Sequence, residues 1–142
     1  MMNSKQDSDY FIKEYWNFIE KLNRPILPFN KLEIKKYVNN YQIFLKNNLI
    51  KIWFYHRHHI DEINISGAIL KNNKQAYKEG KAILVNYKEH AFLHYLIVCA
   101  QTTSPNFGFL SMIDFETWDE IAREFCKQHN IKYIENWRSF LN

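Results

Sequence analysis

Glycine and proline are scarce in this chain, with three of each in 142 residues. So few turn-makers argue against the many tight reversals of an all-β sandwich or barrel. Helix must then carry much of the mass. Hydrophobic residues make up 46% and aromatics 17%, which supplies a real core and excludes wholesale disorder. The length suits one domain. No apolar run approaches a membrane span, and Met1 to Tyr10 is polar, without the apolar core of a signal peptide. A soluble cytoplasmic protein is expected.

Helical periodicity appears first over about Asp9 to Leu22, where Phe11, Tyr15, Phe18, Ile19 and Leu22 form one stripe. Pro25 and Pro28 interrupt it. Asn30-Lys31-Leu32-Glu33 reads as a capping box. It predicts a second helix with Ile34, Tyr37, Val38, Tyr41, Phe44 and Leu45 on its apolar face. Leu49 to Ile60 is dense in β-branched and aromatic residues and predicts a strand or a short hairpin. Asp61 to Gly80 is polar and mixed, a loop with a short helical turn. Lys81 to Val85 is short and apolar behind Gly80, which suits a buried strand.

Asn86-Tyr87-Lys88-Glu89 is a second capping box, with a helix following to about Gln101. Thr117-Trp118-Asp119-Glu120 reads as a third, opening a helix to about His129, and a short helix is expected over Ile134 to Leu141. The order predicted is α-α-β-β-α-α-α. Trp16, Trp53, Trp118 and Trp137 are expected in or at the edge of the core. Cys99 and Cys126 lie among apolar residues and read as buried reduced thiols, because two such cysteines make no disulfide framework and there is no CxxC.

Five of the six histidines fall in two groups. His56, His58 and His59 end the first strand region, and His90 and His94 sit on the helix after the second. Residues four apart share one helical face, so His90 and His94 can chelate one divalent ion. A third imidazole from a neighbouring strand would leave a position open for water or phosphate. Neighbours on a regular strand point to opposite faces. His58 and His59 can therefore serve one site only if the strand ends or bends there. Asp61 or Glu62 could position His59 or bind the metal. His129 reads as a helix-terminal residue.

The motif Tyr55-His56-Arg57-His58-His59-Ile60, the apolar strand Ala82-Ile83-Leu84-Val85 and the helix Asn86-Tyr87-Lys88-Glu89-His90-Ala91-Phe92-Leu93-His94-Tyr95-Leu96 together resemble the HNH (ββα-metal, His-Me finger) endonucleases. The closest likeness is to the phage-type enzymes and the nuclease colicins. The resemblance spans about a third of the chain. It implies an α+β, mostly helical single domain over 1–142. A ββα-metal core (49–101) would lie between an N-terminal helical pair (1–48) and a C-terminal helical extension (102–142). It implies His59 as the general base, His58, His90 and His94 as ligands to a divalent Mg, Mn or Zn ion, and Asn86 as a structural cap. The pattern departs from the family at Lys81, where an asparagine normally holds the loop that orients the base. Either Asn72, Asn73 or another loop residue substitutes, or activity is weakened or lost.

The expected reaction is hydrolysis of phosphodiester bonds in DNA, with RNA not excluded. A histidine near neutral pKa can take the proton of the attacking water, and a divalent cation can stabilise the phosphate and the departing oxygen. Arg57, Lys71, Lys74, Lys78, Lys81 and Lys88 either grip phosphates or form a solvated basic surface; the formal net charge of +4 suits both. A homodimer would suit double-strand cutting. Two other classes compete. One is a non-catalytic nucleic-acid-binding module with a degenerate or structural metal site, which Lys81 favours. The other is a helical interaction domain whose histidines are incidental, with no metal affinity.

Overall fold

Helix α1 spans Lys5–Leu22, four residues longer at its start than its apolar stripe required. Phe11, Tyr15, Phe18 and Ile19 are all buried, as a stripe of that spacing demands. The computed structural model describes residues 5–38, 42–44 and 51–142. Strand β1 (Ile26–Pro28) follows, then short 3-10 turns over Phe29–Lys31 and Ile34–Lys36. Strands β2 (Gln42–Phe44), β3 (Lys51–Trp53) and β4 (Tyr55–His59) lead to helices α2 (Gly67–Leu70) and α3 (Lys74–Glu79). Strand β5 (Lys81–Asn86), helix α4 (Tyr87–Ala100) and helix α5 (Phe115–His129) complete the α+β domain, with a 3-10 turn at Trp137–Phe140.

The helix expected from Asn30 does not form. Asn30 makes no side-chain cap, and neither does Glu33. The cause is tertiary. The Phe29 N–H donates to the Gly80 carbonyl at 2.8 Å, and Leu32 is drawn onto Ala82 and Leu84. The sheet thus holds this segment in tight turns before a helical nucleus can propagate. Gln42–Phe44 is a strand paired with Lys51–Trp53. Tyr41, Leu45, Leu49 and Ile50 lie outside the described residues. β3 and β4 are not a hairpin: the chain breaks at Phe54, and β4 pairs with β5 instead.

The main sheet is antiparallel, in the order β1-β5-β4. Ala82 to Val85 are buried, in keeping with a strand covered on both faces. The Asn86 box then opens α4: its side chain accepts from Glu89 N–H at 2.8 Å, and the Glu89 carboxylate accepts from Asn86 N–H at 2.8 Å. Arg24 reinforces this end with paired bonds to Glu89 at 2.6 and 2.8 Å and one to the Leu84 carbonyl at 2.9 Å. Helix α4 is buried almost all round and packs against α1 and α5. Gln101 ends it in the left-handed conformation, φ 55°.

Asp61 to Gly80 is more helical than its polar composition suggested. A 3-10 turn over Ile60–Ile63 precedes α2 and α3, which are capped by Ser66 and Asn73. Helix α5 begins at Phe115, ahead of the expected cap at Thr117, because Asp114 accepts from Thr117 N–H at 3.0 Å and caps three residues earlier. Trp118 and Trp137 are core, Trp16 is partly exposed, and Cys99 and Cys126 are free and buried. Among the described residues no helix is long and apolar enough to cross a membrane.

Candidate metal centre

The pleat of β4 sorts its side chains. His56 and His58 face α4, whereas Arg57 and His59 face the Phe29 side. Because β5 runs straight into α4, His90 and His94 stand one helical turn apart opposite His58. Ring centroids lie 5.1 Å apart for His58–His90 and His58–His94, and 4.9 Å for His90–His94. One ring nitrogen from each of the three falls within 4.8 Å of the other two.

The protonation of His58 follows from counting hydrogens. The Tyr15 hydroxyl has one proton, and it donates this to the Ile60 carbonyl at 2.9 Å. The same oxygen lies 2.7 Å from His58 Nε2, so Nε2 carries the hydrogen and the Tyr15 oxygen accepts it. Burial, with Glu62 and Asp61 nearby, raises the Tyr15 pKa and keeps that proton in place. His58 Nδ1 is therefore a lone pair. It is buried and without a hydrogen-bond partner, a condition that costs about 1–3 kcal/mol in a folded protein. An orphaned imidazole nitrogen facing two further imidazoles fits a metal ion. Tyr15 then acts as the outer partner that fixes a ligating ring.

Burial lowers the pKa of all three rings. His58 and His90 sit well below 6.5, with neighbouring histidines as the lesser cause, and His94 falls to about 4. Neutral imidazole is the form that ligates. His90 Nδ1 lies 2.8 Å from His56 Nδ1, a bond in which one ring donates and the other accepts. Beside the group sits Glu62. Its Oε2 is 3.7 Å from His58 Nδ1 and its Oε1 is 3.8 Å from His94 Nε2. Burial pushes its carboxyl up to about 7, against the opposing pull of Lys71.

His59 has a different setting. It is the last residue of β4, and the 3-10 turn begins at Ile60, so the strand does end where the histidine pair requires. Its ring stacks on Phe29 at 4.3 Å and 9°. Nε2–H donates to the Tyr77 carbonyl at 2.7 Å, which leaves Nδ1 as a lone pair. Burial lowers its pKa, and the Tyr77 carbonyl opposes that shift. His59, Glu62, His90 and His94 nevertheless line one cleft of about 840 Å³, walled by Phe107, Leu110 and Met112.

No family model, curated protein or solved structure matches this chain.

Of the basic residues singled out from sequence, Arg57 and Lys71 line the cleft. Arg57 also lies over the Phe29 ring at 3.9 Å and donates to the Phe29 carbonyl at 3.0 Å. Lys74 and Lys78 are exposed on α3, Lys81 is exposed at the start of β5, and Lys88 is half-buried in the first turn of α4. None of these four is part of the cleft wall described here. Asn72 lines the cleft, while Asn73 caps α3, the helix whose Tyr77 carbonyl holds His59. His129 ends α5, packed edge-on against Phe18 at 5.1 Å.

Tyr15, Phe29 and Gly67 are the participants that sequence reasoning missed. Tyr15 read as one residue of an apolar stripe. It reaches His58 across 43 positions, and no local pattern announces such a pairing.

Proposed function

We propose that this protein is a metal-dependent endonuclease of the HNH type that hydrolyses phosphodiester bonds in DNA. One observation carries the reading: two members of a buried imidazole trio, His90 and His94, line the same cleft as a separate histidine, His59, whose Nε2–H is held by a backbone carbonyl. The trio suits ligation, and His59 suits proton transfer. His58, His90 and His94 would hold the divalent ion, which when bound supplies the Lewis acid that neutralises charge on the phosphate and on the departing oxygen.

His59 would do the proton chemistry. As a water oxygen bonds to phosphorus and the P–O bond to the 3′ oxygen breaks, the water's proton passes to His59 Nδ1. The Nε2–H bond to Tyr77 keeps the ring from turning and stabilises the imidazolium that results. Phe29 fixes the ring plane. Asn73 supports the same geometry at one remove, by capping the short helix that carries the Tyr77 carbonyl. That arrangement would answer the Lys81 departure, with a loop asparagine supporting the segment that holds His59. Arg57 and Lys71 would grip phosphate at the cleft.

The second reading is a nucleic-acid-binding module with a structural metal. The depth of His58 and His90 favours it, since closed sites are commonly buried. Plasmid cleavage separates the two. With Mg²⁺, Mn²⁺ or Zn²⁺ supplied in turn, the nuclease reading expects nicking that His59→Ala and His94→Ala both lose. Folded, metal-loaded protein that leaves plasmid intact under every ion would establish the binding module instead.

A further inference from the structure

We propose that Glu62 is a fourth protein ligand to the metal, so that the site is three imidazoles and one carboxylate. The proposal rests on the metal-binding reading of His58, His90 and His94; with four protein ligands, phosphate or water would enter as a fifth, and a site that stays four-coordinate would favour the binding module over the nuclease. Nitrogen and oxygen ligands lie about 2.0–2.2 Å from such an ion, which sets neighbouring donor atoms about 3.0–3.5 Å apart. The Glu62 oxygens stand 3.7 Å from His58 Nδ1 and 3.8 Å from His94 Nε2. Each distance is a few tenths of an ångström longer than that spacing and belongs to a different oxygen, so the carboxylate would close on the trio by a small movement to ligate. Neither is a hydrogen bond.

Two further features point the same way. The His58 Nδ1 lone pair that Glu62 faces is buried and unpartnered. Among the described residues no hydrogen-bond donor reaches that lone pair, and a cation between it and the carboxylate would satisfy both. The second feature is Gly67. A Cβ at that position would lie 2.7 Å from Glu62 Oε1, so an alanine there would make the carboxylate swing aside. Gly67 therefore leaves room for the carboxylate to stand over the histidines. The 3-10 turn over Ile60–Ile63 brings Glu62 back above His58, four residues behind it.

The donor set then selects the ion. Three imidazoles with one carboxylate suit a borderline transition ion such as Zn²⁺ over Mg²⁺ or Mn²⁺, which prefer oxygen ligands and water. The carboxylate also cancels one of the ion's two charges in a site where burial discourages net charge.

The test is metal binding by the full chain, with Zn²⁺ measured by chelator competition and Co²⁺ by its visible absorption. Glu62→Gln keeps the shape and removes the charge. It is expected to weaken Zn²⁺ binding by about 10²-fold or more, beyond what loss of an outer partner costs, and to change the Co²⁺ spectrum. Gly67→Ala, with Glu62 intact, is expected to weaken Zn²⁺ in the same direction, and to have no further effect in the Glu62→Gln background. Unchanged affinity and an unchanged Co²⁺ spectrum in Glu62→Gln, with binding lost in His94→Ala, would overturn the proposal and leave a three-histidine site. A wild type that binds neither ion would overturn the metal reading itself. Should Glu62→Gln fail to fold, Glu62→Ala decides, and unchanged affinity there overturns the proposal.

Discussion

His58 and His59 are neighbours on one strand, yet the two faces of that strand use them differently. On the inner face, His58 is wholly buried, its Nε2–H is taken by Tyr15, and its Nδ1 points at other imidazoles. On the outer face, His59 lies flat on Phe29 with its Nε2–H taken by a backbone carbonyl. Both rings are neutral, and both keep the hydrogen on Nε2. What differs is what the remaining lone pair can reach. The inner one meets further ligand atoms, which suits a cation. Among the described residues, the outer ring lines the cleft beside no second imidazole on its own face, which suits a proton. Identical side chains thus acquire separate chemistry from the pleat alone.

The largest effect expected is at the inner face. His58→Ala should lose metal affinity by at least about 10²-fold and cleavage with it, as read by Zn²⁺ competition and plasmid nicking on one preparation. His59→Ala should separate the faces, with a rate loss on the order of 10² to 10⁴ and metal affinity unchanged. If His59→Ala also lost the metal, the division of labour would be wrong.

A pH profile sharpens the outer role. The base works when neutral, and burial lowers its pKa below 6.5. Protonation therefore sets in only as pH falls through that lowered value. The acid limb of the metal-saturated rate should be centred below pH 6.5. An acid limb centred above 6.5 would exclude His59 as the base.

Tyr15→Phe tests how the inner face is set up. It removes the acceptor for His58 Nε2–H without enlarging the core, so metal affinity should fall by about 10- to 100-fold. Nitrogen chemical shifts should report His58 moving off the Nε2–H tautomer, a change that mere loosening would not produce. The smallest effect is expected at Asn73→Ala. It should cost about 1 kcal/mol of stability, as loss of a helix cap does, measured by denaturant unfolding. A several-fold slower rate should accompany it, since the Tyr77 carbonyl loses its support.

The sequence made some of this legible and hid the rest, and the capping boxes show why. Asn86 and Asn30 carry the same local signal. At Asn86 both arms formed, because the helix that follows buries nearly every side chain against α1 and α5. At Asn30 neither formed, because Phe29 is tied to Gly80 and Leu32 to the sheet. A cap can start a helix, but burial decides whether one persists. The clustering of His58, His90 and His94 was readable because strand and helix periodicities bring them together. Tyr15, Phe29 and Gly67 were not, since each acts through contacts that exist only once distant segments have packed. The basic residues were readable as a group, but only Arg57 and Lys71 line the cleft.

The aromatic stack behind the histidines has an optical consequence. His94 lies against Phe109 at 5.3 Å, Phe109 against Trp118 at 5.5 Å, and Trp118 against Trp137 at 4.9 Å. An open-shell ion such as cobalt or copper, seated among the imidazoles, would be separated from a buried indole by little more than a single benzyl ring. Tryptophan emission should dim as the site fills and recover on chelation, so the protein carries its own indicator of occupancy and needs no added dye.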